Sequence, residues 1–174
     1  MTTLLAPRLP SVVDEVTVRL IAGAVLAVGV IALATQQWWL YALLGADFVL
    51  RATLGPRHSP LARLVGRWVR PRLRVAARPT AFAPKRFAAA IGAVMTGAIT
   101  VLWLVGLATG ATGPGAAMVV VAVVMAVFPA LEALFGLCVG CKLFGLLGRI
   151  GLVDEALCID CVRPPRPERV RVRA

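Results

Sequence analysis

The chain is poor in the residues that most active sites are built from. It has one histidine and four cysteines in 174 residues, and stretches 20–46 and 87–131 hold no Asp, Glu, Lys or Arg at all. With His58 alone there is no second histidine for haem or zinc, and no Ser-His-Asp set that spacing would support. A glycine-rich phosphate loop is missing too. His58 itself sits in the turn Gly55-Pro56-Arg57-His58-Ser59-Pro60, where it reads as a solvated loop residue. Between Arg51 and Arg86 the shortage is of acids: ten basic residues and no Asp or Glu.

What is abundant is apolar. Hydrophobic residues make up 60% of the chain and the mean hydropathy is +0.87, more than a soluble domain of this size can hide. The net charge of +11 raises the question of nucleic acid. Its distribution answers in favour of a membrane and no nucleic acid. Threading the chain through a bilayer four times brings every Lys and Arg to one side, as the positive-inside bias requires, and leaves the connectors 35–37 and 110–115 uncharged.

The fold expected is therefore all-α: a polytopic membrane protein with spans at about 17–35, 37–54, 87–109 and 116–137. A four-span membrane domain would occupy 1–151, and a cytoplasmic segment with a second cysteine pair and a basic, proline-bearing tail would occupy 152–174. Both termini are expected in the cytoplasm, in the inner (plasma) membrane. Asp14 and Glu15 ahead of the first apolar run argue for an uncleaved span over a signal peptide. Spans one and two are short for a crossing and form a hairpin. Ala89, Ala93 and Gly97 recur every four residues, a stripe that would admit a neighbouring helix. Trp38, Trp39, Tyr41 and Trp103 fall where an outer aromatic belt would lie.

Within the cytoplasmic loop, Ser59 and Pro60 read as an N-cap and first helical residue. Leu61, Leu64, Val65, Trp68 and Val69 then follow helical spacing, with Arg63, Arg67, Arg70 and Arg74 on another face. That pattern predicts an interfacial amphipathic helix over 60–70, lipid on one side and anionic head groups on the other.

The chemistry-bearing feature is a pair of Cys-x-x-Cys motifs, Cys138-Val139-Gly140-Cys141 and Cys158-Ile159-Asp160-Cys161. At i and i+3 of a helix, Cys138 and Cys141 share a face. Lys142 and the loop arginines favour a thiolate there. Asp154, Glu155 and Asp160 disfavour one at the second pair. Two readings stay open. In one, Cys138 or Cys141 attacks, and Cys158 and Cys161 resolve. In the other, all four thiolates close a structural zinc site, for which the spacing is suitable. Asp47 and Glu132 are the acids inside the spans. Asp47 has Arg51 four residues on, and Glu132 is expected to find Arg19 or Arg86; a proton or ion relay, or a polar lining beside the cysteines, is the functional alternative.

At Gly55-Pro56-Arg57-His58-Ser59-Pro60, and again at Phe135-Gly136-Leu137-Cys138-Val139-Gly140-Cys141-Lys142, the chain resembles domain-of-unknown-function family 4395, small bacterial integral membrane proteins. The resemblance implies four membrane helices, marks Cys138 and Cys141 as hallmark positions, and brings no activity with it. The function expected is thiol-disulfide or sulfur-related exchange with a soluble partner, thioredoxin-like or a sulfurtransferase. The alternatives are a zinc-stapled scaffold that holds anionic lipid, or a subunit of a small transporter, which would have to be a homo-oligomer to enclose a pore.

Overall fold

The computed structural model describes residues 12–110, 113 and 115–150. Six α-helices form among them: α1 (Glu15–Ala34), α2 (Trp39–Thr53), α3 (Pro60–Leu64), α4 (Phe82–Ala108), α5 (Ala116–Phe135) and α6 (Val139–Arg149). Three of these, α1, α4 and α5, are long and apolar enough to cross a membrane. The fold is all-α apart from one short ribbon. In it β1 (Val12–Asp14) pairs antiparallel with β2 (Pro79–Ala81), with Val13 opposite Thr80.

The helices are inside-out by the standard of a soluble bundle. Val94 is 73% exposed, Leu107 61% and Val120 60%, on faces that water would not tolerate at this extent. The interior is a thin seam of Ile21, Val25 and Ala32 from α1, Tyr41 and Leu44 from α2, Ile99 from α4, and Met118, Ala122 and Met125 from α5. Sequence neighbours are not the main packing partners. Contact is most extensive between α2 and α4, and next between α1 and α5; α1 and α2 touch less.

Several expectations change. The second span is a helix of only 15 residues, about 22 Å, and does not by itself meet the length for a crossing. The helix containing the third apolar run starts at Phe82, before its charged residues. Pro84 is tolerated in this first turn because its missing N–H would have no intrahelical partner. Close helix approach uses Gly45, whose missing Cβ would lie 3.1 Å from Thr96 Oγ1, and Gly92, where a Cβ would meet the Phe48 ring at 2.7 Å. Gly97 has nothing within 4 Å, so the 89–93–97 stripe is displaced onto Gly92 and Thr96. Trp38 and Tyr41 are buried, stacked at 5.9 Å between centroids, and the Tyr41 hydroxyl donates to the Gly29 carbonyl at 3.0 Å. Of the expected belt at that turn, Trp39 alone faces outward.

In the loop, the Ser59 Oγ caps α3 by accepting from the Ala62 N–H at 3.0 Å. Only 60–64 is regular α-helix. The turn then widens, with the Arg70 N–H reaching the Val65 carbonyl five residues back, and tightens over 70–72 ahead of Pro71's constraint. Ala62 and Val65 pack into the bundle, whereas Leu64 and Trp68 point out. Arg70 does not face outward as expected. Its Nε donates to Asp14 Oδ2 at 2.8 Å, and its terminal nitrogens donate to the Leu73 and Val75 carbonyls. Asp14 also accepts from the Thr17 hydroxyl and the Arg78 N–H. Burial pushes its carboxyl up, but those donors and the Arg70 charge outweigh it and hold Asp14 well below the usual carboxylate range. The ribbon and this ion pair tie the start of α1 to the end of the loop.

Candidate functional site at the charged end of the bundle

Arg19, Asp47, Arg51, Lys85 and Glu132 meet at one end of the bundle, where α5 stops and α6 begins. Gly136 ends α5 in the left-handed region (φ 69°), its N–H bonding the Glu132 carbonyl at 3.0 Å and that of Leu137 bonding the Leu131 carbonyl at 3.2 Å. The chain turns there and Cys138 becomes the N-cap of α6, in extended backbone (φ −84°, ψ 106°). The two cysteines therefore do not continue α5 but stand at the start of a new helix. Positions N-cap and N3 bring both onto its first turn.

α6 is held down by small residues. Gly140, Phe144 and Gly148, spaced by four, form its buried face. A Cβ on Gly140 would sit 2.5 Å from the Ala88 Cβ and 2.7 Å from its Cα, so α6 lies against the backbone of α4. Phe144 packs on Phe87 at 5.6 Å between centroids. Cys138 is buried by this docking, and Cys141 is partly exposed.

The cation beside the thiols is Lys85 of α4. Lys142, the expected one, is exposed. Cys138 is lowered from the ordinary thiol value to about 7, first by the thiol of Cys141 donating to it. Burial and the Glu132 carboxylate oppose ionisation, while Lys85 and the Cys141 N–H favour it. Cys141 moves the other way, because it is the donor and because it too is desolvated. Lys85 Nζ donates to Glu132 Oε1 at 2.5 Å, so Glu132 takes a partner that was not expected. Arg19 and Arg86 serve helix ends instead. Arg19 donates to the Ala133 and Leu134 carbonyls at 3.2 Å, and Arg86 Nε to the Ala52 carbonyl at 2.6 Å.

Asp47 is buried and fully engaged. It pairs with Arg51, accepts from the Ser59 hydroxyl at 2.5 Å, and accepts from the Leu61 N–H at 3.1 Å, which pins α3 to α2. His58 is exposed in the turn with Nδ1 3.0 Å from the Leu54 carbonyl. Arg51, Lys85, Glu132 and Cys138 converge on one cavity of about 270 Å³ between α1, α2, α4, α5 and α6. Asp47 lies behind Arg51, outside that wall.

The family model described as Domain of unknown function (DUF4395) matches residues 13–149. The chain belongs to this family. The matched DUF4395 segment includes Cys138, Cys141, Lys85 and Glu132, and ends before Cys158 and Cys161. No curated protein and no solved structure matches the chain. Cys158 and Cys161, with the whole 152–174 segment, lie outside the described residues, and so does the four-thiolate zinc arrangement. Lys85 is the member that sequence reasoning missed. It is one of two lysines in a chain with 19 basic residues, and it stands at the edge of a span; both signals were available.

Proposed function

We propose that this is a multi-pass membrane thiol protein whose Cys138–Cys141 pair cycles between dithiol and disulfide, exchanging with a soluble thioredoxin-like or sulfurtransferase partner. The observation that carries this reading is the seat of Cys138: the N-cap of a docked helix, on one cavity wall with Lys85, and on the same first turn as Cys141. A thiol so placed is ionised near neutral pH, and the thiolate is the form that attacks and leaves. In exchange, the partner thiolate attacks the Cys141 sulfur, the more exposed of the two. Cys138, the lower in pKa, departs as the leaving group. The partner's second thiol then releases Cys141, which leaves the partner oxidised and this pair reduced.

In the same reading α2 crosses with α1 as a short hairpin, so that four helices span the inner membrane. The charged end and both termini face the cytoplasm. Leu64, Trp68 and Val69, all exposed, lie in the lipid interface with the loop arginines at anionic head groups. The single-ended distribution of charge supports this.

Two experiments test the proposal. Reporters placed after Ala174 and near Arg78 should both read cytoplasmic; a periplasmic signal from either refutes the orientation. A thioredoxin-like probe whose second cysteine is replaced by Ser should be captured by the oxidised pair as a reductant-sensitive mixed disulfide through Cys141, since the thiol that releases it is gone, and Cys141→Ser should abolish the capture. A structural four-thiolate site would instead retain about one zinc per chain through purification, given its apparent binding free energy of roughly 10–16 kcal/mol. Stoichiometric zinc with unreactive thiols would sink the redox reading.

A further inference from the structure

A dithiol that is oxidised needs an acceptor, and the cavity beside Cys138 has the chemistry of one class. Of the residues on its wall, only Arg51, Lys85, Glu132 and Cys138 carry polar side chains; the rest, including Phe48, Met95, Met125 and Phe128, are apolar. The volume of about 270 Å³ is close to the lower end of small-molecule pockets, roughly 300–1,000 Å³. It lies between the long apolar helices, beside the thiol pair.

Charge on the wall is balanced, Lys85 by Glu132 and Arg51 by Asp47, which disfavours an ion and favours a neutral molecule. One donor is left over. Arg51 Nε is buried and has no hydrogen-bond partner among the described residues, although the same guanidinium pairs with Asp47 and stacks 4.6 Å over the Phe48 ring. A buried N–H without a partner costs about 1–3 kcal/mol; Arg51 lines the cavity, and a small rotation of its guanidinium toward a ligand oxygen there would recover that cost. An acyl chain offers no such oxygen within the hydrocarbon. A flat, neutral ring with carbonyl acceptors does.

We infer that this cavity binds the ring of a lipid-soluble quinone, which accepts the two electrons released when Cys138 and Cys141 form a disulfide. The inference rests on the redox reading above and supplies its oxidant. The Cys138 thiolate and the Cys141 thiol form the S–S bond. The quinone takes two electrons with the Cys141 proton and one proton from solvent, and leaves as hydroquinone. Cys138 lines the cavity and Cys141 does not, so Cys138 faces the quinone and Cys141 the soluble partner.

The test uses the full chain, reduced and kept anaerobic in detergent, with a decyl-bearing benzoquinone whose ring is fully substituted and cannot add a thiol. The expected result is hydroquinone formed mole for mole with a Cys138–Cys141 disulfide, read by loss of quinone absorbance and by peptide mass mapping. Arg51→Lys keeps a cation for Asp47 but has no Nε; it should raise the KM for the quinone about three- to tenfold, the size of one hydrogen bond. If diamide forms the disulfide while the quinone yields neither disulfide nor hydroquinone, the inference is overturned and the redox reading stands. Failure of both oxidants to form the disulfide overturns both. Equal quinone kinetics in Arg51→Lys and wild type would refute this cavity as the site.

Discussion

Replacing Lys85 by Met should be among the most damaging single changes in the protein, and adding Glu132→Leu should rescue it. The two charges meet at 2.5 Å with side chains only 13% and 15% exposed. At an effective dielectric near 20 their attraction is about 7 kcal/mol before desolvation is counted. Most of that gain is cancelled by removing both groups from water, so the pair adds little net stability. Removing one partner alone strands the other, at about 3–5 kcal/mol. Replacing both with apolar residues of similar size should bring stability back near wild type, giving a coupling energy of several kcal/mol. Denaturant unfolding of the four proteins in micelles, followed by far-UV circular dichroism, measures the cycle. Additive effects, or a loss under about 1 kcal/mol in Lys85→Met, would refute the buried-pair account. Cys138 supplies an independent readout, because Lys85 favours its thiolate and Glu132 opposes it. Lys85→Met should therefore slow Cys138 alkylation at pH 7, and an acceleration would show local opening.

Three further outcomes are expected. Alkylation of Cys138 by a small haloacetamide should rise through pH about 7, whereas an ordinary thiol rises near 9.0; Cys141→Ala, which removes the donor, should move the profile up, while Cys141→Ser, which keeps a donor, should move it less. Gly140→Ala should cost about 1–3 kcal/mol of α6 docking, since its Cβ would meet Ala88 at 2.5 Å, and should speed tryptic cleavage at Lys142; unchanged cleavage would mean α6 is not seated on α4. A protein with Trp68 as its sole tryptophan should emit to the blue and be quenched by lipid-borne quenchers, and water-like emission would place 60–72 in solvent.

Apolar run length was the part of the fold most legible in sequence, because each of the four apolar runs, at about 17–35, 37–54, 87–109 and 116–137, falls on one helix, α1, α2, α4 or α5. The ends were less so. The third span looked as if it began after Arg86, yet Lys85 and Arg86 lie inside α4, because a helix N-terminus tolerates Pro84 and each cation has a partner on another helix. Periodicity could not distinguish a lipid-facing from a bundle-facing apolar residue, and so Val65 and Tyr41, assigned outward, turned inward. The site was legible in its members but not in its shape. Cys138, Cys141, Asp47, Arg51 and Glu132 stood out one by one, but the left-handed turn at Gly136 that starts a new helix at Cys138 leaves little trace in composition. Nor did sequence hint at the partnership of Lys85 with Glu132, 47 residues apart.

The pairing of α1 with α5 and of α2 with α4 has a consequence for how the chain is made. Synthesis delivers α1 and α2 first, and the surfaces each will bury have nothing to meet until the long loop and then α4 have been translated. For most of its biogenesis the N-terminal half therefore exposes Gly45, the future neighbour of Thr96, to the lipid or to an insertion factor. In a ribosome-arrested chain stopped before α4 has left the exit tunnel, a cysteine placed at Gly45 should stay reactive to a lipid-soluble maleimide, and it should become protected once α4 has emerged. The order of the helices thus makes assembly a late event that closes in two stages, first when α4 reaches α2 and then when α5 reaches α1.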